Sequence, residues 1–390
     1  MKRYVCIFAV LTLAVCAAVA LFNYRVDPYA VYRFEDADEQ SLGRIDQFYQ
    51  LRLTKPWLVA QLKPVAVIAG TSRSATLHPR HATWPEGGSY NLAIPGQTIY
   101  ELRRFIEHAH AVGPLEKLMI GLDFEAFIQP EPQVKSGFEE ARLARSAGDL
   151  SSAAFYWRAI NDMRDTLLSV DGLNHSLAAI TGTAKVGRRY YKDGTWESTN
   201  TFFTGQGGYI FFGKENVLAL RTQQLDLDAN LEILADILRF AHQQKIETRL
   251  FITPEHIFVI DLWMRLGYSE LWNEFHRGLI AVNNSVAEEM SVEPFPLFGF
   301  NQMQGVVNEP ISRARKAEQS LFTDGSHFRP ALGAQIMSGV WTDGSGIGVR
   351  LDADTVGNYL SEIERIRIDF ESENAKVTTM LRREISPELD

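Results

Sequence analysis

An uncharged, largely apolar run extends from Tyr4 to Phe22, with Lys2 and Arg3 before it and Arg25 after it. A run of that length must leave water whatever the rest of the chain does. Its 19 residues, at a helical rise of about 1.5 Å, reach about 28 Å, enough to cross a bilayer core of roughly 30 Å. Positive charge at the short N-terminal end favours keeping that end in the cytoplasm, which places everything after Phe22 outside. Residues 1–25 are therefore predicted to be a single-pass anchor in the inner (cytoplasmic) membrane, with the body in the periplasm or outside the cell. The alternative is a protein secreted after signal cleavage, because Ala18-Val19-Ala20 fits the small-x-small pattern. A lipidated Cys16 is the weaker reading, since Val15 suits that chemistry poorly and the apolar run continues beyond it. Cys6 and Cys16 are the only cysteines, so an exported body has neither a disulfide nor a thiolate-bound metal.

The remaining length suits one elaborated domain, predicted over 26–350, with a charged amphipathic segment at 351–390. A net charge of -9 argues against nucleic acid as a partner, because such binding rests on clustered Lys and Arg. Asn23 to Arg33 reads as a short stalk that docks early onto the domain.

Pro64 to Ala69 is an apolar, β-branched run ending at Gly70, the pattern of a buried parallel strand. Ser89–Ile94, Lys117–Leu122, Glu247–Ile252 and Pro294–Gly299 read similarly. Helices are predicted at about 99–112, 227–243 and 270–289. This alternation predicts an α/β fold, a three-layer sandwich with a five-stranded parallel sheet. An insertion at about 128–222 interrupts it, helical in pattern from Phe138 to about Ala184 and aromatic-rich from Tyr190 to Phe212. The Val356–Arg383 stretch, with Tyr359, Ile363, Ile366, Ile368 and Phe370, is predicted to pack on the domain or on a partner.

Gly70-Thr71-Ser72-Arg73-Ser74 lies where the first strand ends, the edge at which open α/β sheets place ligand-handling residues. If a helix starts there, its free N–H groups can stabilise a developing anion beside Ser72; Ser72 reads equally as a plain helix cap. Asp324-Gly325-Ser326-His327 supplies a base and a carboxylate on one turn, as activation of a serine hydroxyl requires. His327 alone reads equally as a capping or surface residue.

Together these segments resemble the SGNH (GDSL-like) hydrolase family. Asn91 to Thr98 resembles its second conserved block, with Gly96 at the position that lends an N–H to the oxyanion hole. Gly121-Leu122-Asp123 resembles its third, where Asp123 replaces an oxyanion-binding asparagine, and Thr71 replaces an aspartate beside the nucleophile. The resemblance implies a flavodoxin-like sheet, a Ser72–His327–Asp324 triad, and an oxyanion hole built on the N–H groups of Ser72 and Gly96. A carboxylate at position 123 would repel an oxyanion unless protonated or bypassed. Arg73, Asn91, Asp123 and His256 are candidates for substrate binding or oxyanion support, with structural roles as the alternatives for Asp123 and His256.

The anchor, the Asp27-Pro28-Tyr29 stalk and the Gly121–Phe124 segment are similar to the cell-envelope branch that includes the alginate and cellulose O-acetylation proteins. The implied activity is an O-acetyltransferase or acetylesterase acting on a polysaccharide through acyl-Ser72. A multi-pass membrane acyltransferase is the implied acyl donor, since acetyl-CoA is cytoplasmic. The rival from another class is a catalytically silent polysaccharide-binding or assembly protein of the envelope. No cofactor is expected, and His78, His81, His108 and His110 lack the carboxylate partners of a metal site. The aromatic cluster Tyr190, Tyr191, Trp196, Phe202, Phe203, Tyr209, Phe211 and Phe212 is either a sugar-stacking wall or the core of the insertion.

Overall fold

The computed structural model describes residues 1–33, 50–130, 134–183, 188–198, 205–311, 320–342 and 347–389. Its main sheet contains β1 (Ala66–Ala69), β2 (Ser89–Asn91) and β3 (Lys117–Leu122). A separate antiparallel hairpin follows, β4 (Arg188–Tyr190) with β5 (Trp196–Ser198). The main sheet then takes β6 (Glu247–Ile252), β7 (Leu297–Gly299) and β8 (Val349–Arg350), in the spatial order β2-β1-β3-β6-β7-β8. The first five of these strands in space are parallel, as expected. The expected count of five is corrected to six, because β8 pairs antiparallel with β7 through Phe298 and Gly299. Two residues carry no readable periodicity, and this strand is defined only by the neighbour it meets.

The period-2 geometry of a strand divides its side chains between two faces, and both faces here are covered. Val67 and Ala69, Leu118 and Ile120, and Leu250 and Ile252 join the larger core, whereas Ile68, Met119 and Phe251 join a second core on the other side. This is why the strands read as continuous apolar runs rather than alternating ones.

Among the described residues there are ten longer helices. In chain order these are α1 (Lys2–Val26), α2 (Leu51–Leu62), α3 (Ile99–Val112), α4 (Ala153–Leu167), α5 (Val170–Thr181), α6 (Leu227–Gln243), α7 (Ile257–Arg265), α8 (Ser269–Met290), α9 (Pro330–Trp341) and α10 (Val356–Ile385). Helices α3, α6 and α8 supply the larger core, and α9 supplies the smaller one through Leu332, Ile336, Met337 and Val340. Local chemistry sets the starts: Thr98 Oγ1 accepts the Glu101 N–H at α3, and Asp226 Oδ1 accepts the Ala229 N–H at α6. Helix α10 packs Tyr359, Ile363, Ile366 and Phe370 into the larger core, while Ile368 stays exposed.

Helix α1 is long and apolar enough to cross a membrane. The stalk after it is docked. Asn23, fully buried, donates to Leu167 O and accepts from Ser176 Oγ, which ties the last turn of α1 to α4 and α5. Asp27 turns the chain by accepting the N–H groups of Val31, Tyr32 and Arg33. In the insertion, helix begins only at Ala153; the stretch from Phe138 holds single 3-10 turns at Glu140–Arg142 and Asp149–Ser151. Ala184, Phe202 and Phe203 lie outside the described residues.

Candidate active site

β1, β3 and β6 end at the same edge of the sheet, and the chain leaving each one builds the site. After β1, Gly70 takes a φ of 142°, and a side chain there would strike Ser74 Oγ and come within 2.9 Å of Gly121 O. Glycine is therefore what lets the Ser72 turn lie this low over β3. The expected helix after Ser72 is a single 3-10 turn, Ser74–Thr76. So short a turn has no aligned dipole to offer, and anion stabilisation from a helix N-terminus is withdrawn.

Ser72, His327 and Asp324, 255 residues apart at their extremes of sequence, are joined in one hydrogen-bonded line. His327 Nε2 lies 2.8 Å from Ser72 Oγ, and His327 Nδ1 lies 2.7 Å from Asp324 Oδ2. The other carboxylate oxygen of Asp324 accepts the N–H groups of Ser326 and His327 at 3.0 and 2.8 Å, which fixes the turn. Burial alone would push the Asp324 carboxyl up. The His327 ring and these N–H donors outweigh it and hold the carboxyl below its ordinary value. With Asp324 accepting from Nδ1–H, Nε2 carries the lone pair that faces the serine.

The line opens into a cavity of about 450 Å³, bordered by Pro95 and Gly96 on one side and by Thr323, Phe328 and Arg329 on another. The insertion closes it with Trp196, Glu197, Phe211 and Asn216. Among the described residues, the backbone N–H groups of Ser72 and Gly96 donate to no protein acceptor. The aromatic cluster splits between its two expected roles. Tyr190, Trp196, Tyr209 and Phe212 are core, Trp196 and Phe211 border the cavity, Tyr191 packs edge-on against His78, and Phe202 and Phe203 fall outside the described residues.

The four supporting candidates do not border this cavity, and each has structural work instead. Asn91, fully buried, donates to Ser74 O and Leu77 O and accepts from Ala93 N–H, so it braces the turn that carries Ser72. His256 caps α7 through the Phe258 N–H and bonds Glu309 O, while its own N–H holds Gly325 O. Asp123 accepts from Thr71 Oγ1 and Thr253 Oγ1 and lies 3.5 Å from Arg73 Nη1. It thus links the carboxyl ends of β1, β3 and β6. Both its oxygens are engaged below the site, so it neither donates to an oxyanion nor faces one.

Arg73 is buried and points the same way, correcting its candidacy as oxyanion support. Its Nη2 lies 2.7 Å from Glu255 and 3.2 Å from Glu125, and its Nε donates to Ser326 Oγ at 2.6 Å. Burial opposes the charge on Arg73, but Asp123, Glu255 and Glu125 outweigh it and strengthen proton binding. Because Arg73 follows Ser72 and Ser326 precedes His327, this bond ties the Ser72 turn to the His327 turn.

Lys55, Glu255, Asn216 and Arg329 were not singled out in the sequence. Buried Lys55 donates to the carbonyls of Asn91, Ala93 and Gly194, holding the segment that leads to Gly96. Glu255 bridges Arg73 and Trp263 Nε1. Arg329 borders the cavity with its Nε buried and without a hydrogen-bond partner among the described residues. Lys55 and Glu255 had no local signal, since the carbonyls that Lys55 meets and the Arg73 that Glu255 meets are distant in the chain. No group of three or more His, Cys, Asp or Glu side chains suited to a metal occurs among the described residues.

The chain matches no protein-family model, no curated protein and no solved structure. The functional reading therefore rests on the geometry of this site.

Proposed function

We propose that this chain is a membrane-anchored serine acyl-transfer enzyme of the SGNH type, with Ser72 as nucleophile, His327 as general base and acid, and Asp324 as the carboxylate that orients it. The observation that carries the reading is the unbroken Ser72–His327–Asp324 line, 2.8 and 2.7 Å long, at the mouth of a cavity. Three residue types in that order are what nucleophilic catalysis by a hydroxyl needs.

In the first half-reaction Ser72 Oγ attacks the ester carbonyl as its proton passes to His327 Nε2. The tetrahedral oxyanion is held by the N–H groups of Ser72 and Gly96, which have no competing protein acceptor among the described residues. His327 then gives its proton to the departing alkoxide, leaving acyl-Ser72. In the second half, His327 takes a proton from an acceptor hydroxyl, that oxygen attacks the acyl carbonyl, and the proton returns to Ser72. The acceptor is a sugar hydroxyl in an O-acetyltransferase and water in an acetylesterase. Trp196 and the 42%-exposed Phe211 border the cavity as aromatic contacts for a sugar ring, and Asn216 is a side-chain amide at the same cavity.

The placement follows from the anchor: an SGNH-like three-layer body outside the inner membrane, acting on a cell-surface or secreted polysaccharide, with a multi-pass membrane acyltransferase as donor. The silent polysaccharide-binding or assembly reading keeps one observation in its favour, the absence of an oxyanion-binding asparagine at position 123. Incubation with p-nitrophenyl acetate followed by intact-mass and peptide analysis separates the two. Acetyl-Ser72 that disappears on adding an oligosaccharide acceptor or on standing in water is the expected result; a folded protein that never acquires the acetyl group contradicts the enzyme reading.

A further inference from the structure

The helix pair α4–α5 turns much of its apolar surface away from the core. Asp162, Thr166 and Ser176 face the protein, Asp162 paired with Arg142 and Trp57, Thr166 bonded to Tyr32 and Ser176 to Asn23, while Arg164, Asp165, Asp171 and Asn174 are exposed. Large apolar residues of both helices also face outward. On α4 these are Tyr156, Trp157, Ile160 and Met163, a stripe at i, i+1, i+4 and i+7, with Trp157 66% exposed. On α5 they are Val170, Leu177 and Ile180, again on one side, with Val170 72% exposed. Of the thirteen large apolar side chains exposed after residue 26 among the described residues, eight lie between Tyr156 and Ile180. A helix surface in water places its charged face outward, and a contiguous apolar patch marks a contact.

The position of the pair identifies what it contacts. Helix α1 is exposed from Lys2 to Ala18, first becomes partly covered at Val19 and Ala20, and is fully buried at Asn23. The covering elements are α4 and α5, through Leu167 O and Ser176 Oγ. The exposed span of α1 therefore ends where α4 and α5 cover it. Tyr156 and Trp157 on α4, and Tyr24, 43% exposed on α1, are the residue types that settle at a headgroup boundary.

We propose that α4–α5 is a membrane-interface element: its apolar face lies in the headgroup and acyl boundary of the bilayer that α1 crosses, and holds the body against the membrane surface. This rests on the anchor reading of α1 and not on the acyl chemistry of Ser72. Burial of such a face adds to the anchor a second hold on the lipid, which restrains the body from tumbling about the stalk.

The test is nitroxide depth measurement on the full chain in vesicles of phosphatidylethanolamine and phosphatidylglycerol, with Cys6→Ser and Cys16→Ser. Labels are placed singly through Trp157→Cys, Ile180→Cys, Val10→Cys and Ile368→Cys, each checked for an unchanged thermal transition. Val10 reports whether α1 is in lipid, and Ile368, exposed on α10, reports water. Oxygen-to-nickel collision ratios at positions 157 and 180 that match position 10 and exceed position 368 several-fold are expected. With position 10 in lipid, ratios at 157 and 180 equal to that at 368 overturn the inference and leave the anchor standing. Shielding of 157 and 180 from both collision partners means that a protein covers the face, and also overturns it. A water-like ratio at position 10 removes the anchor and the inference with it.

Discussion

Replacing Arg73 with methionine tests how the site is held together. The substitution removes a buried cation that faces Asp123, Glu125 and Glu255 and leaves an apolar side chain of similar reach. The three acids are not equally affected. Asp123 keeps both threonine donors, and Glu125, with about a fifth of its side chain exposed, is resolvated. Glu255 is left buried with Trp263 Nε1 at 3.1 Å and Ser326 Oγ at 3.5 Å. Breaking one side of a buried pair costs about 3–5 kcal/mol. At roughly 2.1 cal/mol/K per residue of unfolding entropy, that lowers Tm by roughly 4–7 °C. The loss carries a pH signature. Burial already raises the Glu255 carboxyl above its ordinary value, with Arg73 opposing, so removing Arg73 raises it further. An acid raised in the folded state favours folding fully below its unfolded pKa, near 4.5, and loses that contribution as pH climbs through the folded value. The Tm gap between the wild type and Arg73→Met therefore widens from pH 5 to pH 8, read by Trp fluorescence melts of the full chain in detergent. A gap that stays flat with pH, or one below about 1 °C, would refute the ion-pair account of this cluster. Arg73→Lys does not restore the wild type, because an ammonium cannot reach the carboxylates and Ser326 in one fork.

Asp123→Asn supplies the side chain that the resemblance leads one to expect, yet fluorophosphonate labelling of Ser72 is not expected to accelerate, since position 123 points at Thr71, Thr253 and Arg73. A tenfold or greater acceleration would mean that the side chain reaches the oxyanion after all. His78 sits between Asp193 and Glu197; burial lowers its proton affinity, but the two carboxylates outweigh this and push its pKa up to about 9. Stability from this clasp is full below pH 6.5 and lost as pH rises through 9, a contribution of about 1–2 kcal/mol after allowing for its partial exposure. Chemical denaturation at pH 6 and pH 9.5 should show the decline in the wild type and a smaller one in His78→Gln, and equal slopes would remove the clasp.

What could be read in the chain depended on how locally it was written. Strands β3 and β6 and helices α3 and α6 fall on their expected bounds, because each is defined by its own periodicity. The Ser72 and Asp324–His327 turns were visible as short blocks, and the fold needed only to bring their sheet edges together. The roles of Arg73, Asp123, Asn91 and His256 were not visible. Their chemistry is set by partners such as Ser326, 253 residues from Arg73, and Thr253, 130 residues from Asp123. Polarity at a sheet edge looks the same in sequence whether it faces a substrate or the underside of the site. The short β8 and the outward apolar faces of α4–α5 escaped for a related reason, since both are defined by what lies beside them.

The central claim is that Ser72 is an activated nucleophile. Intact-mass analysis of the full chain after fluorophosphonate treatment, beside Ser72→Ala and His327→Ala, measures this directly. Stoichiometric modification at Ser72 in the wild type, abolished by both substitutions, is the predicted result; folded wild-type protein that remains unmodified contradicts the account.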